Sequence, residues 1–297
     1  MLHRSVLLQE VIKGLDIQPG DVIVDGTLGN GGHTLAIAEK FGKSVKLIGI
    51  DLDADALERS KVRLKDVECD ITYVLGSFRN IDEHLQALGI ESVNKVLLDI
   101  GLSSNQLEES GRGFAFRSDE PLKMTFKKEL GEEEYDAHTI VNTWDEDSIR
   151  TIIRSYGEEK FAGRIAKGIV RTRELSPINT TTDLVNVILA STPRFYHHGK
   201  THPATRTFQA LRITVNDEIY ALEEGLEKSF LQLTPKGRLA IISFHSLEDR
   251  VVKEHFKSLE AAKQGMRITK KPITPNEEEV YENPRSRSAK LRIIEKN

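Results

Sequence analysis

The residues with the clearest chemical meaning run from Asp25 to His33 and read Asp-Gly-Thr-Leu-Gly-Asn-Gly-Gly-His. Glycines there permit positive φ and close approach of the backbone to a ligand, and the helix that follows offers free N–H groups. Asp51 ends the next apolar run, at about the distance from which an acid accepts hydrogen bonds from a ribose diol. Gly31, Gly32, His33 and Asp51 thus read as a cradle for an adenosine-type cofactor. A dinucleotide fingerprint requires Gly or Ala three residues after Gly31, and the chain has Thr34. That disfavours nicotinamide cofactors and favours S-adenosylmethionine, which has no pyrophosphate to hold. The bland alternative is an ordinary glycine-rich turn with an unrelated acid. A second polar run, Asp99-Ile-Gly-Leu-Ser-Ser104-Asn-Gln106, carries an acid and two hydroxyls that either position an acceptor or only cap the next helix.

Short aliphatic runs must place these residues. Val22–Asp25, Lys46–Asp51, Ile71–Leu75 and Lys95–Ile100 read as strands buried on both faces, with room for crossover helices at 32–41 and 53–65. This βαβ grammar predicts a doubly wound, Rossmann-like α/β sheet whose carboxyl edge binds ligand. From 103 to 207 the grammar turns helical: Ile149, Ile152, Ile153 and Tyr156 recur at i, i+3, i+4 and i+7, behind an N-cap at Asp145 or Asp147. A helix over Asp217–Leu233, a Pro235–Gly237 turn, a strand over Arg238–Phe244 and a last strand over Lys290–Ile294 restore the sheet pattern. The expected organisation is a catalytic domain over 1–102 and 208–297, interrupted by a helical insertion over 103–207. The polar stretch 263–288 reads as a surface loop.

The chain has 297 residues and a formal charge of −4. Its single cysteine, Cys69, excludes an internal disulfide framework and suits a reducing cytosol. Flanked by acids, Cys69 is a poor nucleophile, which disfavours methylation at a pyrimidine C5. No His, Asp or Glu cluster has convincing metal spacing, so no metal is expected. Neither a leader nor a membrane span is legible, which points to a cytoplasmic protein. Charge is segregated: residues 150–212 hold eleven Lys and Arg against four acids. If 156–173 is one helix, Phe161, Ile165 and Ile169 form its apolar stripe, while Lys160, Arg164, Lys167 and Arg171 share another side. That side is either a phosphate-binding stripe or a solvated helix face. Arg206, near the end of the insertion, is a hinge or substrate contact. Arg285, Arg287, Lys290 and Arg292 suggest a second basic edge. His245, ahead of the Ser246-Leu-Glu-Asp249 capping box, is either structural or an acceptor contact.

These stretches carry a resemblance. Val6-Leu-Leu, Asp25–His33, Asp99–Ser104, Arg112-Gly-Phe-Ala-Phe116, Tyr156-Gly-Glu-Glu-Lys-Phe161, His202–Arg212 with Val215-Asn-Asp-Glu218, Ser243–Arg250 and Ser288–Arg292 span nearly the whole chain. They resemble the ribosomal RNA small subunit methyltransferase H (MraW) family. The resemblance implies a class I S-adenosylmethionine-dependent methyltransferase sheet with an inserted helical domain that recognises RNA. The implied reaction is methylation of N4 of a cytidine in the decoding centre of 16S rRNA. The implied substrate is 16S rRNA, as naked RNA or within the small ribosomal subunit, and the oligomeric state, a homodimer included, is left open. Gly31, Gly32, His33, Asp51, Phe78, Asp99 and Gln106 match the family's cofactor contacts. Phe78 would lie beside the adenine and Gln106 near the methionine end. Asp99, with Ser103, Ser104 and His245, is the expected acceptor-side set, although Asp99 could equally only orient cofactor. Departures at Lys123 and Thr125, where the family has an acid and a base, and at Asn105 and Thr205, fall on the acceptor side. They keep open a shifted RNA target, or an RNA-binding assembly factor without catalysis.

Overall fold

A computed structural model describes residues 5–102, 110–127, 130–131, 134–199 and 201–297. The chain divides into two units, Met1–Gly101 with Ile219–Asn297, and Leu102–Glu218.

The discontinuous unit is built on one seven-stranded sheet: β1 (Val22–Asp25), β2 (Lys46–Asp51), β3 (Asp70–Leu75), β4 (Val93–Asp99), β5 (Leu233–Ser243), β6 (Gly265–Arg267) and β7 (Lys290–Lys296). Their order is β3-β2-β1-β4-β5-β7-β6. The first five strands are mutually parallel, and β7 runs antiparallel to both β5 and β6. Side chains alternate across a strand, so two faces need two cores. Ile23, Leu97 and Ile242 enter one apolar cluster, while Val24, Leu98 and Ile241 enter the other. Burial on both sides is why these strands read as unbroken aliphatic runs. Four helices follow or precede the early strands: α1 (Leu8–Leu15), α2 (Gly32–Phe41), α3 (Ala54–Arg63) and α4 (Ile81–Ala87). Strand order reverses between β1 and β4, so their carboxyl ends flank the crevice expected at a topological switch point.

Two expectations for this unit are corrected. The Pro235–Gly237 segment is no free turn but an irregularity inside β5: Val93 pairs with Leu233 and Lys95 already with Arg238, and Lys236 takes φ of +64° to absorb the excess chain. The stretch 263–288 is not loop alone. It contains β6, a helix over Glu277–Glu282 capped by Asn276, and a 3-10 turn over Pro284–Ser288. Elements this short carry no readable periodicity. Glu279 of that helix accepts a hydrogen bond from the Leu7 amide at 2.7 Å and so holds the start of α1.

The second unit is helical. Helices over Ala137–Thr143, Glu146–Ser155, Ala162–Arg173, Thr181–Ser191 and Thr205–Asn216 surround one core that includes Ile140, Ile153, Ile165, Leu184 and Leu211. Asp145 caps the second of these through the Ser148 amide, and Thr180 with Asp183 forms a reciprocal capping box on the fourth. The return to the catalytic domain at residue 208 is misplaced. Phe208, Ala210 and Leu211 belong to the helical core, so the helix Thr205–Asn216 stays with this unit and the division falls after Glu218. Asp217 ends that helix in the left-handed region, at φ of +51°.

Candidate active site

The carboxyl ends of β1, β2 and β4 each finish in an aspartate, Asp25, Asp51 and Asp99. The loop after β1 is pinned to both neighbouring strands. Gly26 donates to the Leu97 carbonyl at 2.9 Å and Leu28 to the Ile50 carbonyl at 2.9 Å. Gly29 and Gly31 adopt φ of +53° and +69°, a conformation that costs any side-chain-bearing residue, and Gly31 caps α2. A Cβ at Gly32 would overlap Ser5. At Gly31 a Cβ would likewise press on Leu64 and Ser60, whereas beside Gly29 it would meet only the Thr27 carbonyl at 3.8 Å, so the free space along this turn lies at Gly29.

Asp51 braces that cradle. Its Oδ2 accepts from the Gly29 amide at 2.7 Å and its Oδ1 from the Asp53 amide at 2.8 Å. Each oxygen keeps a further lone pair for a ligand hydroxyl. Burial pushes the Asp51 carboxyl up to about 6, against the pull of those two amides. Beneath it, Asp25 is spent on structure. It accepts from Thr34 Oγ1 at 2.7 Å and from the Thr27 amide at 3.3 Å, and burial raises its pKa.

Asp99 is held by two neighbours. Thr27 Oγ1 accepts from the Asp99 amide at 2.6 Å, which ties the end of β4 to the cradle. His33 Nδ1 stands 3.7 Å from Asp99 Oδ2, and His33 Nε2 is 3.0 Å from the Val6 carbonyl. A carbonyl only accepts, so Nε2 carries a hydrogen and the Nδ1 side faces the carboxylate. Burial raises the Asp99 pKa to about 6, opposed by His33 and assisted by Asp25 and Glu248. Thr27, inside the glycine turn, is a support of Asp99 that nothing in the sequence marked, and Thr34, in α2, supports only Asp25.

Phe78 follows β3 in a 3-10 turn, and its ring packs against Gly225, where a Cβ would collide with it. His245 is the N-cap of the helix Ser246–Ala261: its Nδ1 accepts from the Glu248 amide at 3.2 Å and its Nε2 is 2.8 Å from Glu248 Oε1. The capping box thus starts one residue earlier than the sequence reading placed it, and both ring nitrogens of His245 face Glu248. Ser103, Ser104, Asn105 and Gln106 lie outside the described residues. Burial pushes the Cys69 thiol up, consistent with an inert side chain. Half of the second basic edge is corrected: Arg285 and Arg287 are exposed, but Arg292 is buried and donates to Asp249 at 2.7 Å, and Lys290 donates to the same carboxylate at 3.0 Å. Arg292 and Lys290 are thus engaged by an acid of the protein itself.

In the helical unit the cationic stripe is also revised. No single helix spans 156–173. The chain breaks at Gly157, where a Cβ would overlap the Arg206 and Ile153 carbonyls, and Glu158 takes φ of +48°. Lys160 precedes the helix Ala162–Arg173, so only Arg164, Lys167 and Arg171 share its solvent face opposite Ile165 and Ile169. All four are exposed, and none forms an ion pair with a described residue. Arg206 is exposed and donates to the Glu158 carbonyl at 2.8 Å. The departures lie in the same unit: Lys123 is exposed, while buried Thr125 accepts from the Lys127 amide at 3.1 Å. Among the described residues no helix is long and apolar enough to cross a membrane.

Comparison with known proteins agrees with this layout. The model of the MraW methylase family matches residues 1–297. A protein named ribosomal RNA small subunit methyltransferase H from Clostridium botulinum (strain Loch Maree / Type A3) is 46% identical, over 99% of this chain and 98% of its own length. Proteins of the same name are 47% identical in Sulfurihydrogenibium sp. (strain YO3AOP1), over 98% of both chains, and 42% identical in Brevibacillus brevis, over 99% of this chain and 98% of the relative. With a pinned glycine cradle and a family match along its full length, this chain belongs to the MraW methylase family.

Proposed function

We propose that this protein transfers a methyl group from S-adenosylmethionine to the exocyclic N4 of a cytidine in the decoding centre of 16S rRNA. The observation that carries the reading is the convergence of Asp51, the positive-φ Gly29–Gly31 turn that it braces, and Asp99 beside His33 at one switch point. The names of the relatives support a small-subunit ribosomal RNA as substrate.

The donor-set chemistry fits a sulfonium nucleoside: carboxylate oxygens with spare lone pairs for a ribose diol, space beside the Gly29 backbone, and no lysine or arginine in the turn to demand a phosphate. When bound, S-adenosylmethionine supplies an electrophilic methyl group. Asp51 would accept the ribose hydroxyls, with Gly31, Gly32 and His33 lining the cradle, Phe78 beside the base and Gln106 near the methionine end. The amine of cytosine is a weak nucleophile because its lone pair is delocalised into the ring. Asp99, as carboxylate, would accept a hydrogen bond from that amine and stabilise the positive charge developing on nitrogen. Thr27 and His33 fix its position, so part of the gain is orientation. Ser103 and Ser104, four and five residues further along the sequence, would complete the acceptor side. His245, bound up with Glu248, supports this edge through its cap. Lys160, Arg164, Lys167, Arg171 and Arg206 would hold the phosphate backbone.

Mapping modified nucleotides by mass in ribosomal RNA from cells with and without this protein tests the reading. A cytidine in the small-subunit RNA that loses one methyl group in the deleted strain supports it, and an unchanged map refutes it.

A further inference from the structure

The 3-10 turn Arg194–His198 presents an aromatic surface with no role in the core. Phe195 on this turn is 69% exposed, so most of its apolar surface stays in water. Its neighbours are held firmly. Tyr196 donates its hydroxyl to Glu159 Oε2 at 2.5 Å, and Glu159, itself buried, accepts from the Phe161 amide through its other oxygen at 2.8 Å. Thr192 Oγ1 lies 3.0 Å from His197 Nε2 and anchors the other end of the turn. The rings of Phe161 and Tyr196 meet edge to face at 5.0 Å, and Phe161 and Phe195 at 6.4 Å.

Cations surround these rings. The Lys160 ammonium lies 5.1 Å from the Phe161 centroid, 5.0 Å from Tyr196 and 5.8 Å from Phe195. The Arg164 guanidinium lies 5.7 Å from Phe161. The buried Glu159 spends both oxygens inside the protein, so it does not face a ligand. An exposed aromatic ring beside cations that form no ion pair with a described residue is the composition of a platform for single-stranded nucleic acid, in which bases stack and phosphates meet the charges. A base inside a duplex has both faces covered and cannot use it.

We infer that Phe195, braced by Phe161 and Tyr196 and flanked by Lys160 and Arg164, stacks on an unpaired nucleobase of the RNA substrate at a nucleotide other than the one methylated. The site rests on the reading of the chain as an RNA methyltransferase. It adds to that reading a requirement for locally unpaired RNA and a contact that is aromatic rather than ionic. Phe195 is then a positioning residue, acting on RNA capture and not on the transfer step.

The test uses the full chain, with Phe195→Ala, Phe195→Leu and Phe195→Tyr variants, a short fluorescent single-stranded RNA and the corresponding duplex. Phe195 is mostly solvent-exposed, so all three variants should melt with the parent. Phe195→Ala and Phe195→Leu should bind the single strand about 5- to 100-fold more weakly. Phe195→Tyr, which keeps a stacking face, should stay within about threefold of the parent. No variant should alter duplex binding, and the salt slope should be unchanged because no charge is removed. In methyl transfer to small-subunit RNA, the Ala variant should raise KM and leave kcat unaltered. Single-strand affinity that is unaffected in Phe195→Ala, or a Leu variant as good as Tyr, overturns the inference. The parent assay separates the two failures: methyl transfer by the parent with no effect of Phe195→Ala defeats only the platform. A parent that methylates no RNA while Phe195→Ala still loses single-strand binding defeats only the proposed reaction.

Discussion

Asp99 Oδ2 stands 3.7 Å from His33 Nδ1, while the far nitrogen of the same ring is committed to the Val6 carbonyl at 3.0 Å. The imidazole is therefore fixed as a clamp with one variable face, and that face looks at the carboxyl expected to receive the substrate amine.

If Asp99 works as a carboxylate, turnover at saturating cofactor rises with pH through about 6 and levels off above it. Asp99→Asn should remove that inflection and lower saturating turnover by about a hundredfold, within the range for a lost electrostatic partner. Cofactor affinity, measured in parallel by calorimetry, separates the alternatives. Weakened cofactor binding with normal saturating turnover would show that Asp99 only holds the cofactor.

The same carboxyl leaves a mark on stability. Its folded pKa, about 6, lies above the ordinary carboxylate value. Between roughly pH 4 and 6 the folded protein holds a proton that the unfolded chain has released, so this group's contribution becomes less favourable as pH rises through that window. Above about 6 the cost is constant. Asp99→Asn has no such group, so its stability relative to the parent should improve by about 2 kcal/mol on going from pH 4 to 7. Urea denaturation of both proteins across the range reads this difference, and a difference independent of pH would contradict it.

Arg292 and Lys290 share Asp249 but not its environment. Arg292 is 5% exposed, and its loss would leave a largely buried carboxylate with a single, more exposed partner. Burial alone would raise the Asp249 pKa, yet the hydrogen bonds from Arg292 and Lys290 hold it below the usual range. Arg292→Met should cost about 3 kcal/mol in denaturation experiments, and Lys290→Met about 1 kcal/mol. Neither should alter the salt dependence of RNA binding.

Lys167 and Arg171 present the opposite case, exposed and without acidic partners among the described residues. Each replacement by Gln should reduce the slope of log affinity against log salt by about 0.7 for single-stranded RNA. The melting temperature should stay within a degree or so of the parent, since surface changes of this kind are nearly neutral. An unaltered slope would place RNA elsewhere on the protein.

Much of the sheet was legible because its signal is local. Val22–Asp25 and Lys46–Asp51 are aliphatic runs ending in acids, and burial on both faces leaves little else for them to be. Asp51 and the glycines were readable for the same reason. What the sequence hid depends on distant partners. The break at Gly157 follows from the Arg206 carbonyl nearly fifty residues later, and no helical periodicity reports that. Arg292 looked like a surface cation until Asp249, on another element, accounted for it. His245 was visible as a residue beside a helix start, but its role as the cap itself required its Nδ1 to be seen against the Glu248 amide.

The pairing of β4 with β5 joins Val96 to Leu239, with the whole of the second unit between them in sequence. A chain made from its amino end therefore completes Leu102–Glu218 before β5 exists. That contiguous helical body can reach its own core first, and its compaction shortens the tether across which the sheet must later close. The insertion is thus placed to govern the order of assembly: lesions in its core, such as at Ile153 or Leu211, should slow closure of the sheet even though neither residue belongs to it.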